Sequence, residues 1–331
     1  MASLLERKLI VVTGKGGTGK TTVACALGLL GAGRGLRTIV VELAGQRRLP
    51  VMFGSSETPE AGAEVELEHC LWSTSIDPDE ALLEWLHKLA GRLSARMLAA
   101  SSTFQYFAAA APGAKELVSM VKLLQLCDDY DLVVLDAPST GHALAMLDSP
   151  HTFSAIVRGG PLADRAQGVR ELLGDRERCA YVAVAQGTEL AVSETLELEE
   201  ALRRLLDRDL DAVLVNGVLP RRFTREEMSL IDRLARSKSG GHAGASRAAA
   251  GDASVRDASA GDTPAVVERA VRAAHTTYER TRQQQSQVAR LRRQRFADGR
   301  PPNVLTIPFV FAPDLDLAAV RKLAAGIERK L

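Results

Sequence analysis

Residues 14–22 read Gly-Lys-Gly-Gly-Thr-Gly-Lys-Thr-Thr and satisfy G-x-x-x-x-G-K-[ST], the spacing of a loop that cradles phosphate groups. The flanking sequence has the required character. Lys8 to Val12 is a short apolar run of strand type, and Thr21 to Leu30 reads as a helix closed by the Gly-rich stretch Gly31 to Gly35. Each residue type in the loop has a task. Gly14, Gly16, Gly17 and Gly19 permit positive φ and let backbone N–H groups approach an anion with no Cβ in the way. The positive end of the helix starting near Lys20 adds to that attraction. Lys20 is expected to bridge the β- and γ-phosphates of ATP, and the Thr21 hydroxyl to ligate Mg²⁺. Thr18 and Thr22 belong to the same cradle.

Working outward, strand and helix signals alternate. Thr38 to Glu42, Cys70 to Ile76, Asp131 to Leu135, Cys179 to Ala185, Leu210 to Asn216 and Asn303 to Ile307 read as further strands. Several are near-continuous apolar runs, the mark of strands buried on both faces of a parallel sheet. Val192 to Leu206 and roughly Asp314 to Leu331 read as helices. The expectation is an α/β fold, a doubly wound, mostly parallel sheet in a single domain over 1–331. Two long helical segments, 79–126 and 222–296, interrupt the alternation and are expected to form a helical insert subdomain. Within the second, 237–262 is almost all Ala, Gly, Ser, Asp and Arg and holds one large apolar residue, a valine. It is expected to be a flexible loop, because it has too little apolar surface to bury. Thr263-Pro264 then opens a long helix.

Composition narrows the function classes. The 331 residues include 42 basic and 41 acidic side chains, a net charge of +1, which argues against a nucleic-acid binder driven by bulk charge. The four cysteines, Cys25, Cys70, Cys127 and Cys179, lack metal-ligand spacing and read as reduced thiols of a cytoplasmic protein. No signal peptide and no apolar run of spanning length is visible, so no stable membrane insertion is expected.

Two features specify the loop further. Lys15 follows its first glycine, giving K-G-G-x-G-K-[ST], and Asp136 ends an apolar strand and is followed by Ala-Pro-Ser-Thr-Gly-His. An acid at such a strand tip is where a carboxylate holds a water of the bound Mg²⁺ and senses the γ-phosphate. With the deviant loop, the chain resembles the group that includes the MinD and ParA positioning ATPases, nitrogenase iron protein and the arsenical-pump ATPases. The resemblance implies that Lys15 reaches across a dimer onto the partner's nucleotide. Asp136, Thr140, Gly141 and His142 match the second switch, D-T-A-P-T-G-H-T, of the arsenical-pump and guided-entry ATPase family. Ile76-Asp77-Pro78 fits that family's I-D-P, and Val215-Asn216 fits its V-N, where the asparagine reads the adenine edge. The resemblance covers most of 8–218 and the final strand and helix, and is poor in the two helical segments. His142 is read as bonding switch backbone rather than as a general base.

The chain departs from that family in three places. The family's D-P-A-H after the second strand, whose Asp positions the attacking water, reads here Val41-Glu42-Leu43-Ala44-Gly45-Gln46, although Leu49 and Phe53-Gly54 keep the following pattern. Glu42 or Gln46 could substitute, or Glu42 could be a buried structural group. No C-x-x-C exists to join a dimer through zinc, and six methionines do not make a Met-rich client groove. Phe104, Tyr106, Phe107, Val118, Met120 and Val121 give an apolar stretch in the first helical segment, read as a core helix rather than a groove. The basic stretch Arg290 to Arg295 reads as a solvated helix end.

The expected function is an ATP-binding and hydrolysing switch, a homodimer or a heterodimer with a paralogous ATPase, that couples nucleotide state to a protein client through a helical surface. Lys15, Lys20, Asp136 and Glu42 are the candidate catalytic groups. Two other readings are a hydrolysis-poor regulatory subunit and a positioning ATPase.

Overall fold

The computed structural model describes residues 4–43, 47–55, 59–60, 62–84, 113–156, 161–240, 263–295, 299–311 and 316–330. Its strands are β1 (Leu9–Gly14), β2 (Thr38–Leu43), β3 (Val65–Glu68), β4 (Leu71–Ile76), β5 (Leu132–Ser139), β6 (Cys179–Gln186), β7 (Ala212–Val218) and β8 (Val304–Pro308). They form one sheet in the order β3-β4-β2-β5-β1-β6-β7-β8. Every pairing is parallel except β3 with β4. The parallel strands are the apolar runs of the sequence, within two residues at each start. β3 was not expected: it has four residues, its side chains are partly exposed, and Glu66 and Glu68 give it no apolar run. It caps one edge of the sheet.

The helices are α1 (Lys20–Gly33), α2 (Arg48–Met52), α3 (Ala114–Asp129), α4 (Thr140–Ile156), α5 (Pro161–Gly174), α6 (Glu189–Leu206), α7 (Arg225–Gly240), α8 (Thr263–Arg293) and α9 (Leu317–Glu328). They cover both faces, and the pleat sorts the strand side chains between two cores. Leu9 and Val11 of β1 and Val133 and Leu135 of β5 face one core with α3, α4, α5 and α6. Ile10 and Val12 of β1, Val134 of β5 and Val182 of β6 face the other with α1 and α9. Alternation within a continuously apolar strand is what a sheet buried on both sides demands. The doubly wound α/β arrangement of the sequence reading is thus the observed one.

α3 begins inside the segment 79–126 and runs on to Asp129, and it packs on the sheet through Leu117, Met120, Val121 and Leu123. This agrees with a core helix at Val118, Met120 and Val121. Phe104, Tyr106 and Phe107 lie outside the described residues, as do Gln46 and most of 237–262. α4 and α5, unassigned in the sequence, cover the sheet beside α3 through Ala143, Leu147, Val169 and Leu173. α8 is the longest described helix, 31 residues and roughly 46 Å. Its C-terminal half packs through Val288 and Leu291, while its N-terminal half runs beside α7, where His275 Nε2 meets Asp232 Oδ1 at 2.6 Å.

Candidate functional site

The strand order places the site. From β1 the chain passes to β2 on one side and later to β6 on the other, so the order in which strands are added reverses at β1. Ligands of open α/β sheets bind at the carboxyl ends of strands at such a point. Residues 14–22 lie there, between β1 and α1. Gly14 (φ 139°), Gly17 (φ 81°) and Gly19 (φ 93°) adopt positive φ, whereas Gly16 does not, contrary to the expectation for all four. Two of these glycines are required sterically as well. A Cβ on Gly14 would sit 2.3 Å from the Val184 carbonyl oxygen, and one on Gly19 would sit 2.4 Å from Asn216 Nδ2.

The loop is held from three sides. The Thr18 hydroxyl donates to the Lys15 carbonyl at 2.8 Å, Gln186 Nε2 donates to the Gly17 carbonyl at 3.3 Å, and Asn216 Nδ2 donates to the Thr18 carbonyl at 2.9 Å. Asn216, at the end of β7, therefore touches the loop directly. One N–H and the carbonyl oxygen of its amide remain for a second partner. Gly19 gives α1 no side-chain cap, so the first N–H groups of that helix keep their capacity for an anion. Thr22 is buried on α1.

The switch acid meets the loop. The Thr21 hydroxyl donates to Asp136 Oδ2 at 2.6 Å, while Asp136 Oδ1 is buried without a hydrogen-bond partner. Burial raises the Asp136 carboxyl to about 6, against the lowering effect of the Thr21 bond; neighbouring Glu42 raises it further. Burial also lowers the Lys20 ammonium, opposed by the charge of Asp136. Lys20 Nζ donates to the Lys15 carbonyl at 3.2 Å. A hydroxyl and a carboxylate are hard oxygen donors, and an unpaired buried carboxylate oxygen is the feature that a hydrated Mg²⁺ would satisfy. Thr21 and Asp136 thus fit the metal expected of them.

Glu42 is paired in register with Asp136 on the neighbouring strand and is 1% exposed. Its two carboxylate oxygens accept the backbone N–H groups of Arg48 and Leu49, at 3.0 and 3.2 Å. It caps the first turn of α2, and burial raises its carboxyl. Arg48 was passed over in the sequence. It is exposed at the start of α2, and its charge acts on Lys20, Asp136 and Glu42 together.

Lys15 forms an ion pair with Glu194 of α6, both side chains about one-third exposed. Lys15, Gly16, Ser139, Thr140, Gly141 and Glu194 line a cavity of about 830 Å³ that joins the loop to the start of α4. The switch residues after Asp136 are therefore divided: β5 extends to Ser139, and Thr140 to His142 form the first turn of α4. His142 is exposed there and makes no hydrogen bond among the described residues, so it does not hold switch backbone as expected.

Comparison with known proteins agrees with this geometry. The family described as anion-transporting ATPase matches residues 7–159, from the start of β1 through the switch acid and α4. The ATPase BagA of Mycobacterium tuberculosis is 29% identical over 67% of this chain and 68% of its own length. The ATPase GET3B of Arabidopsis thaliana is 24% identical over 66% of each chain. The ATPase ASNA1 homolog 1 of Paramecium tetraurelia is 32% identical over 44% of each. Over residues 7–159 the chain is similar to the anion-transporting, ArsA-like ATPases. It keeps the deviant loop, Asp136 and the strand-end Asn216 of that resemblance, and departs at the end of β2. Its described helices include none long and apolar enough to cross a membrane.

Proposed function

We propose that this chain, similar to the ArsA-like ATPases, is a dimeric switch. It binds Mg-ATP through residues 14–22 and couples the nucleotide state to a protein partner through its helical surface. The observation that carries the nucleotide reading is the 2.6 Å bond from Thr21 to Asp136, beside a buried, unpaired Asp136 oxygen. When bound, Mg²⁺ supplies charge neutralisation at the phosphates. Thr21 and Asp136 would hold it. Lys20 would meet the β- and γ-phosphates, the N–H groups of Gly16 to Thr22 would surround them, and the free part of the Asn216 amide would face the adenine edge. The γ-phosphate would be sensed through Asp136 and passed to α4, whose first turn follows it directly.

Lys15 would act in trans. In the isolated chain it is engaged by Glu194, so reaching a partner's nucleotide requires that pair to open. The missing acid after β2 supports a division of labour. Both oxygens of Glu42 are engaged by α2, which favours a structural role for it over water positioning. A heterodimer with a paralogous ATPase that carries the acid would hold one complete site, to which this chain contributes Lys15. The reading as a hydrolysis-poor subunit rests on the same two bonds. The setting is taken to be the cytoplasm, without nucleic acid and without stable membrane insertion. The positioning-ATPase reading is less favoured, because Asp136 with Thr140, Gly141 and His142 fits the other switch.

Lys20→Ala tests the nucleotide site by calorimetric titration with Mg-ATP. Loss of measurable binding in a folded variant is expected, because the full charge that the loop would place on the β- and γ-phosphates is gone. Unchanged affinity would sink the assignment.

A further inference from the structure

Away from the phosphate loop, the segment 219–224 that follows β7 lies against the start of α7 and residues 269–285 of α8. Two adjoining cavities occupy this junction, about 380 and about 510 Å³, and share Arg222 and Thr277 in their walls. The first is also lined by Arg221, Arg225 and Arg282. The second adds Arg269, Arg272 and Arg280. Among the described residues no carboxylate lines either one. Of the nearby acids, Glu227 accepts the Thr224 N–H at 2.7 Å, and Glu268 pairs with one lining arginine, Arg272, at 2.9 Å. Glu226 and Glu279 are exposed on the same helices and line neither cavity.

Among the described residues, Arg221, Arg225, Arg280 and Arg282 make no ion pair. By contrast, Arg203 and Arg208, elsewhere in the chain, are paired with acids. The whole chain carries a net charge of only +1, so this is a local concentration of charge. Converging like charges repel, and an anion relieves them. Guanidinium forks match phosphate oxygens two at a time. The Arg222 guanidinium lies over the Phe311 ring, 5.4 Å from its centre, which adds a flat aromatic wall. Concavities of this size suit a small molecule better than an extended polymer. Neither cavity is lined by any residue of 14–22, by Asp136 or by Asn216, so this is not the phosphate cradle. Gln284, one turn along α8, accepts the Leu219 N–H and donates to the Gly217 carbonyl, so an occupant would lie close to the strand end that carries Asn216.

We propose that this junction is a second anion site, taking a ligand with at least two clustered phosphate groups. The test is calorimetric titration of the full chain, with its phosphate loop first saturated with Mg-ADP, using inorganic pyrophosphate as the probe. Binding is expected, and Arg222→Gln with Arg282→Gln should weaken it by about tenfold or more per arginine, while Mg-ADP affinity stays unchanged. Sedimentation with phosphatidylglycerol vesicles distinguishes the source. Vesicle binding lost in the same variant assigns the phosphates to a lipid surface, whereas pyrophosphate binding without vesicle binding assigns them to a free molecule. Absence of pyrophosphate binding to the saturated chain overturns the proposal. So does binding of only an acidic peptide or an oligonucleotide, or a loss of Mg-ADP affinity in the variant, which would make the junction part of the first site.

Discussion

Asp136 is buried deeply enough to shift its own titration. Its carboxylate is buried between β5 and α1, so the native state disfavours its charge and its pKa rises from 3.8 to about 6. The sign of the consequence follows. The contribution to stability is fully present below the unfolded value and is lost as pH rises through about 6. Asp136→Asn removes that penalty while leaving an oxygen for the Thr21 hydroxyl. The nucleotide-free variant should therefore be more stable than the parent at about pH 7.5, by on the order of 2–3 kcal/mol. The gap should close as the pH falls from about 6 to below about 4. Thermal melts across pH check this, and a variant no more stable than the parent above neutral pH would contradict it. Legibility at this scale depends on whether the partners are near in sequence. The place of Lys20 and Thr21 in one loop was readable because the pattern lies in nine contiguous residues. The engagement of Lys15 by Glu194 joins residues far apart and leaves no local pattern, and neither does the charge of Arg48 over the site.

Elements position these residues, and two substitutions separate positioning from chemistry. Glu42 holds the first turn of α2 to the end of β2 through two backbone N–H groups. In Glu42→Gln, one N–H would face an amide N–H₂ instead of an acceptor. A loss of ~1–3 kcal/mol of stability is expected, read in denaturant melts, with ATP affinity little changed. A stable variant that binds ATP but does not cleave it would instead make Glu42 the substitute acid. Asn216 joins β7 to the loop through the Thr18 carbonyl. Asn216→Ala should weaken tripolyphosphate somewhat, because the loop slackens, and ATP more, because the adenine partner is also lost. Equal losses for ATP and GTP would show that Asn216 does not read the base. At this scale the parallel strands were legible, since strands buried on both faces must be apolar throughout. β3 was not, because an edge strand of four half-exposed residues has no such constraint. The extent of β5 was also underestimated, since Ala137 to Ser139 continue the strand after its apolar run has ended.

At the scale of the whole molecule, a continuous sheet brings the loop, Asp136 and Asn216 to one edge, while α7 and α8 carry an arginine-lined junction beside it. The doubly wound plan was readable from alternating strand and helix signals. The junction was not, because its arginines come from two separate segments, 221–225 and 269–282, and only the packing of α8 unites them. The proposed division of labour between subunits would likewise be a property of the assembly. Lys15 would have to leave Glu194 to serve a partner, and Glu42, the described acid near the end of β2, is engaged by α2. The decisive measurement is single-turnover hydrolysis of Mg-ATP by the purified chain, compared with the same chain mixed with a paralogue bearing an Asp after its second strand. Bound but slowly cleaved ATP is expected in the first case. In the mixture the expected rate is higher by up to ~10³–10⁵, depressed by Lys15→Ala in this chain without loss of its ATP binding. Robust turnover by the purified chain as a homodimer, abolished by Glu42→Gln, would contradict the proposed division of labour.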